Sequence, residues 1–366
     1  MTSPRTVVRH APGKLYVAGE YAVVEPGGTA ILIAVDRYIT VTVTEADGTG
    51  VVIASDLTAH AVRHRWQDGR LTGGDGTTGY VAAAVETVAG LLTERGLPVP
   101  ALSVSVTSTL HDNGRKYGLG SSGAVTVATV AAVASYCGLR LSREDRFRLA
   151  LLATARIDPK GSGGDLAAGT WGGWIAYRAP DREHVLALAR DRGVEEALRA
   201  DWPGFEVRRL PAPEGLALEV GWTGRPASTT NLVAGLHRRM WRGSASHQKF
   251  METSHDFVHA AIGALESGDG PGFAQQIRRA RQELARLDDE VGLGIFTPEL
   301  TALCDAAEAV GGAAKPSGAG GGDCGIALLD ADAPHDIAHV RQRWAAAGVL
   351  PLPLRPAPEG PEGNEE

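Results

Sequence analysis

The segment Lys116-Tyr-Gly-Leu-Gly-Ser-Ser-Gly-Ala124, running straight into Ala124-Val-Thr-Val-Ala-Thr-Val-Ala-Ala-Val133, constrains this chain more than any other feature. Gly118, Gly120 and Gly123 permit a tight turn, and the unbroken apolar run behind them predicts a buried helix. A glycine turn that opens a helix gathers unpaired N–H groups at the positive end of the helix dipole. Such a place binds anions, and phosphate is the usual biological anion there. The spacing points to a nucleotide-handling protein.

Three phosphate loops compete for the segment. The Gly-Lys-Ser/Thr ending of a P-loop is absent, and the nearby lysine, Lys116, precedes the glycines. A dinucleotide fingerprint fits literally, because Gly118, Gly120 and Gly123 spell G-x-G-x-x-G, with Glu144 and Asp145 downstream as ribose contacts. Those acids, however, fall where Ser142 reads as a helix N-cap with Asp145 near N3, not at the end of a second strand. A third kind of loop, leading with its own lysine, stays open beside these.

Charge and length narrow the class. A chain of 366 residues exceeds one compact core and suggests two domains. The net charge of −7 gives no basic field for nucleic acid or an anionic membrane, so an anionic substrate needs a local cluster of lysine and arginine. The longest apolar stretch, Ala124 to Gly138, contains Thr and Ser and is too short for a bilayer. Cys137, Cys304 and Cys324 have no CxxC spacing, so neither a disulfide framework nor a zinc site is expected. The N-terminal stretch lacks the apolar core of a secretory signal. A cytoplasmic enzyme with reduced thiols is expected.

Alternation predicts strands at Tyr38–Thr44, from Val51, at Leu102–Thr107 and across Trp171–Tyr177, with helical spacing over Tyr80–Leu92. Beyond about residue 180 come a charged helix over Asp181–Ala200 and a strand at Leu216–Trp222. Amphipathic helices follow over Asn231–Arg242, His255–Ser267, Gly272–Val291 and Pro298–Val310. Gly325–Leu329 reads as a strand, His335–Ala347 as a helix and Gly348–Leu354 as an extended piece. The fold class is α+β, with domains expected at 1–210 and 211–354 and a disordered Pro-, Gly- and Glu-rich tail at 355–366.

Four glycine-punctuated segments carry the candidate chemistry. They are Ala11-Pro-Gly-Lys-Leu-Tyr-Val-Ala-Gly-Glu-Tyr21, the loop at 116–124, Lys160-Gly-Ser-Gly-Gly-Asp165, and Lys315-Pro-Ser-Gly-Ala-Gly-Gly-Gly-Asp-Cys-Gly325. Singly, each has an ordinary structural reading: a stray lysine on a strand, a helix-capping aspartate, a flexible hairpin. Together, in this order, they resemble the motifs of the GHMP kinases, the superfamily of galactokinase, homoserine kinase and mevalonate kinase. Within it, Gly221-Trp-Thr-Gly-Arg-Pro-Ala-Ser-Thr229 and Ser317-Gly-Ala-Gly-Gly-Gly-Asp-Cys324 resemble the branch that phosphorylates phosphomevalonate.

The resemblance implies a ribosomal-protein-like N-terminal domain and a ferredoxin-like C-terminal domain, with ATP and acceptor in the cleft between them. It implies ATP on Lys116, Gly118, Leu119, Gly120, Ser121, Ser122, Gly123 and Ala124, and Mg²⁺ on Ser122. Lys14 and Asp165 match the family's catalytic pair. The acceptor, 5-phosphomevalonate, would lie among Lys14, Glu20, Tyr21, Lys116, Ser162, Gly163, Arg225, Ser228, Thr229, Ser317, Gly318 and Ala319. The family often carries a metal-binding Glu about eleven residues before that Asp; this chain has Thr154 there, leaving a second metal ligand unassigned.

The expected reaction is ATP-dependent phosphorylation of (R)-5-phosphomevalonate to the diphosphate in isoprenoid precursor synthesis, by a monomer or homodimer. The alternatives are a mevalonate or related alcohol kinase, a nucleotide-binding sensor without turnover, and an oxidoreductase that binds nicotinamide instead of ATP.

Overall fold

The computed structural model describes residues 5–74, 76, 78–112, 114–227 and 241–358. Strand β1 (Val7–Ala18) lies antiparallel along β2 (Thr29–Glu45), whose seventeen residues form the spine of the larger sheet. On its other side β2 pairs with β6 (Leu102–Ser108) over one half and β9 (Trp174–Arg178) over the other. The sheet continues through β3 (Val51–Ser55), β4 (Val62–Gln67) and β5 (Arg70–Thr72) at one end and β10 (Glu206–Leu210) at the other. β3 and β6 are its parallel pair.

Four helices cover one face: α1 (Gly79–Glu94), α2 (Ser121–Tyr136), α3 (Arg143–Ala155) and α4 (Gly164–Trp171). α2 is apolar almost all round, which suits a helix buried between sheet and neighbours. Its two buried threonines, Thr126 and Thr129, return their hydroxyls to the carbonyls of Ser122 and Val125 at 2.8 and 2.7 Å, so no polar group is stranded. α3 opens with the reciprocal Ser142–Asp145 capping box that its sequence predicts. Residues ahead of α2 form a two-residue hairpin, β7 (His111–Asp112) with β8 (Arg115–Lys116), instead of the parallel strand a dinucleotide fold places there. The dinucleotide reading is excluded on both counts.

The smaller sheet contains β11 (Leu216–Trp222), β12 (Ala313–Pro316), β13 (Cys324–Asp330) and β14 (Leu350–Leu352), all antiparallel in the order β12-β13-β11-β14. That order is the ferredoxin-like arrangement. The long helices Ala245–Glu266 and Gly270–Val291 pack against each other, and one apolar cluster runs from the larger sheet through them to β11 and β13. Phe273 meets Trp174 edge-on at 6.1 Å, and Trp222 meets Tyr117 at 5.0 Å, so aromatic contacts fasten the two halves. The structure is the two-domain GHMP kinase fold.

Three expectations need correction, and one residue gains a place the sequence did not give it. The charged stretch after residue 180 is two helices, Arg182–Arg192 and Val194–Arg199, because Gly193 at φ +93° breaks the run. Trp171 closes α4, and the strand starts only at Trp174 after Gly172 and Gly173. Lys315, unassigned from sequence, belongs to β12 and is fully buried. Residues 355–358 are ordered: Pro356 bridges Val35, while the Ala357 N–H and C=O bond Ala34 and Gly173 at 2.8 and 3.1 Å. This segment supplies backbone partners to the stretch of β2 left between β9 and β6, which outweighs its loop-like composition. The Asn231–Arg242 helix falls mostly outside the described residues.

Candidate active site

β1 carries the first functional group. Its alternation buries Ala11, Gly13, Leu15 and Val17 and turns Lys14 and Tyr16 to the opposite side. Register shifts at Pro12/Gly13 and Tyr16/Ala18 bracket these two residues, and bulges of this kind re-aim side chains beside functional sites. The Lys14 main-chain N–H donates to the Leu119 carbonyl at 2.8 Å, and its Nζ donates to the Gly118 carbonyl at 3.4 Å. Strand and glycine loop therefore meet at this lysine.

The glycines of the loop are dictated by what lies against them. Gly118 and Gly120 have φ of +80° and +76°. A Cβ on Gly120 would stand 2.9 Å from Lys14 Cγ, and one on Gly123 would stand 2.4 Å from Asp165 Oδ2. One on Gly118 would meet the Asp323 carboxyl carbon at 2.3 Å. The loop is thus moulded over a lysine and two carboxylates. Gly120 caps α2 in the left-handed conformation and no side chain occupies its first N–H groups, which leaves them free for an anion.

Asp165 sits in the first turn of α4, behind Gly163 at φ +81°, and its Oδ1 accepts the Leu166 N–H at 3.0 Å. Burial pushes its carboxyl above the ordinary aspartate value; the Lys14 charge and the backbone N–H pull it back, and Asp158 adds to the upward push. Tyr16 accompanies the pair: its hydroxyl shares a hydrogen bond with Ser162 at 2.7 Å, and Lys14 Nζ lies 5.2 Å from its ring centre.

These groups line a cleft of about 520 Å³ between the sheets. Of the residues singled out in the sequence, Lys14, Glu20, Tyr21, Lys116, Gly118, Gly120, Ser121, Ser122, Ser162, Gly163, Asp165, Gly318 and Ala319 face it. Leu119, Gly123 and Ala124 are buried behind the loop. Three acceptor candidates have structural duties. The Glu20 carboxylate forms a buried ion pair with Lys315, which also donates to the Pro316 carbonyl at 2.7 Å. The Tyr21 hydroxyl donates to the Ala319 carbonyl at 2.5 Å. Ser317 Oγ accepts from the Tyr16 N–H at 2.8 Å and donates to the Tyr16 carbonyl at 2.9 Å. Among the described residues Arg225 is not part of the cleft lining; its exposed guanidinium pairs with Glu299 at 3.0 Å. Ser228 and Thr229 lie outside the described residues.

Among the lining residues with no role assigned from sequence are Tyr16, Tyr80, Thr154, Asp158 and Asp323. Tyr16 was within reach of the two-residue alternation from Lys14. Tyr80 was not, since only the packing of α1 on α2 brings its hydroxyl to Ser122. Thr154 Oγ1 is buried and has no hydrogen-bond partner among the described residues. Thr154, Ser122 and Asp158 line the same cleft, and their side chains offer only oxygen donors, the chemistry a hard cation such as Mg²⁺ takes. Among the described residues no group of three His, Cys, Asp or Glu side chains could hold a metal alone. Nucleotide phosphates and waters would complete the shell, as Mg²⁺ prefers.

Known proteins agree with this layout. Residues 80–173 match the GHMP kinases N terminal domain and residues 261–347 the GHMP kinases C terminal model. The phosphomevalonate kinase of Streptomyces sp. (strain CL190) is 70% identical, over 98% of this chain and 99% of that one. The solved Streptococcus pneumoniae phosphomevalonate kinase in complex with phosphomevalonate and AMPPNP superposes with a TM-score of 0.85 at 28% identity, covering 96% of this chain and 99% of that one. The mevalonate kinase of Pyrococcus abyssi (strain GE5 / Orsay) is 28% identical, over 98% and 97% of the two chains. The chain belongs to the GHMP kinase family, in its phosphomevalonate kinase branch.

Proposed function

We propose that the protein phosphorylates (R)-5-phosphomevalonate with ATP, giving the 5-diphosphate and ADP, and that Lys14 and Asp165 are the working pair. The observation that carries this is the glycine loop packed onto both side chains, at Gly120 and Gly123. An oxygen of the acceptor phosphate bonds to the γ-phosphorus while the bond from that phosphorus to the β–γ bridging oxygen breaks. ADP leaves with the electron pair.

The first N–H groups of α2 cradle the nucleotide phosphates, and Lys116 and Lys14 offset their charge. Ser122, with Asp158 and Thr154 as further oxygen donors, would hold Mg²⁺, which would supply charge neutralisation on the phosphates. The acceptor has a second phosphate pKa of about 6, so near neutral pH it is mostly a dianion and needs no base. Asp165 then orients Lys14 instead of taking a proton. Free Cys137, Cys304 and Cys324 suit a reducing compartment, and the cytoplasm is the proposed location.

The test is ADP release with ATP and Mg²⁺, comparing mevalonate with 5-phosphomevalonate. Turnover with 5-phosphomevalonate alone is expected. Turnover with mevalonate alone would move the activity to the alcohol kinase and make Asp165 a base. ATP binding with neither acceptor used would favour a sensor.

A further inference from the structure

Asp323 stands in the glycine turn before β13 with φ +53°, directly after Gly320, Gly321 and Gly322, which also have positive φ. A non-glycine residue in that region is strained, and strain observed inside a cleft points to a job for the side chain. Its backbone joins two segments: the N–H donates to the Arg225 carbonyl at 2.8 Å, and the carbonyl accepts the Thr223 N–H at 2.9 Å. Its Oδ1 accepts the Ala227 N–H at 3.2 Å. The carboxyl also packs on Gly118, whose carbonyl accepts from Lys14 Nζ.

Asparagine would make every one of these bonds and tolerates the left-handed conformation well. Only the negative charge sets aspartate apart, and a negative charge is adverse in a cleft that must hold two anions. Asp323, Lys14 and Lys116 line one cleft, and the Asp323 carboxyl rests on the Gly118 whose carbonyl accepts from Lys14 Nζ, two residues from Lys116. Burial accordingly raises the Asp323 carboxyl above its ordinary value, while the Ala227 N–H and the two lysines lower it. Cations that grip substrate phosphates grip product phosphates too, and uniform binding of this kind does not raise kcat. The product carries its two phosphates on one molecule, the harder case for release.

We propose that Asp323 is a positioning residue acting through Lys14 and Lys116: its carboxylate steadies both ammonium groups and weakens their hold on phosphate, setting how fast the diphosphate product and nucleotide leave. The kinetic half rests on the phosphotransfer reading above; the binding half does not.

The experiment titrates parent and Asp323→Asn with ADP and with inorganic pyrophosphate by calorimetry. Asp323→Asn should bind both about three- to tenfold tighter, the size of one removed charge at short range in a partly solvated site. Its steady-state kcat should fall by a similar factor while the single-turnover rate holds. Asp323→Gly, which removes the charge and relieves the strain, should tighten binding in the same direction. Unchanged or weaker pyrophosphate and ADP binding in both variants would overturn the proposal, as would weaker binding with a lowered Tm, which marks a mere loop anchor. Should neither acceptor be turned over, the pyrophosphate titration still reads the charge.

Discussion

Two lysine–carboxylate pairs sit six residues apart along the start of the chain, and they are built in opposite ways. Glu20 and Lys315 meet in direct contact, both buried, with the Lys315 ammonium also held by the Pro316 carbonyl. Lys14 and Asp165 influence each other through space, with Gly120 and Gly123 wrapped around them and the cleft in front. The charge that ties the halves together is partnered inside the protein, by a carboxylate and a carbonyl. A charge that must receive a phosphate keeps hydrogen-bonding capacity in reserve, because a saturated ammonium gains nothing from the substrate.

This contrast can be broken most easily at Lys14. Lys14→Ala should lower kcat by about a thousandfold, in the range lost with a preorganised charge donor, while Tm stays within a degree or two of the parent. An equal loss of stability would erase the distinction between the pairs. At the other pair, Lys315→Met should cost about 3 kcal/mol or more of unfolding free energy, since it strands the Glu20 carboxylate. Adding Glu20→Gln should recover much of that loss in denaturant melts. A single variant as stable as the parent would show that the pair is not structural.

Gly123→Ala sharpens the comparison by forcing a Cβ against Asp165. It should cut kcat by about tenfold or more through displacement of the carboxylate, with a smaller effect on the nucleotide dissociation constant. Unchanged kcat would mean that the contact is loose. Asp165→Asn carries a stability sign. Burial raises the folded pKa of Asp165 above its unfolded value, so its ionisation destabilises the fold as pH rises through the carboxylate range. Asp165→Asn should therefore be at least as stable as the parent at neutral pH and relatively less favoured at acid pH. A drop in Tm at neutral pH would contradict this. The smallest effect is expected at Arg225, whose exposed side chain pairs with Glu299 away from the cleft; Arg225→Ala should change KM for the acceptor less than about twofold.

Much of this was readable before folding. The glycine loop, the apolar α2, the Ser142 cap and the strands at 38–44, 51–55 and 102–108 follow from local periodicity and capping chemistry, whereas β4, β5 and β10 are not among the strands the sequence predicts. The lysine and carboxylate at its centre stand in segments that a glycine pattern marks. What sequence did not yield are partnerships between distant segments. Glu20 and Lys315 are 295 residues apart, and nothing local says that one neutralises the other. Ser317 and Tyr21 carry hydroxyls suited to a phosphate, yet tertiary packing commits them to Tyr16 and Ala319. Residues 355–358 read as tail because their composition lacks a core pattern, but the stretch of β2 left between β9 and β6 supplies backbone partners whatever the side chains are.

The most direct test of the account is kcat for Asp165→Asn and Lys14→Ala measured side by side on 5-phosphomevalonate, with Tm as a control for folding. An acceptor that arrives as a dianion predicts the far larger loss for Lys14→Ala. An Asp165→Asn loss equal to or greater than that of Lys14→Ala, in a folded protein, would make Asp165 a general base and contradict the orienting role assigned to it.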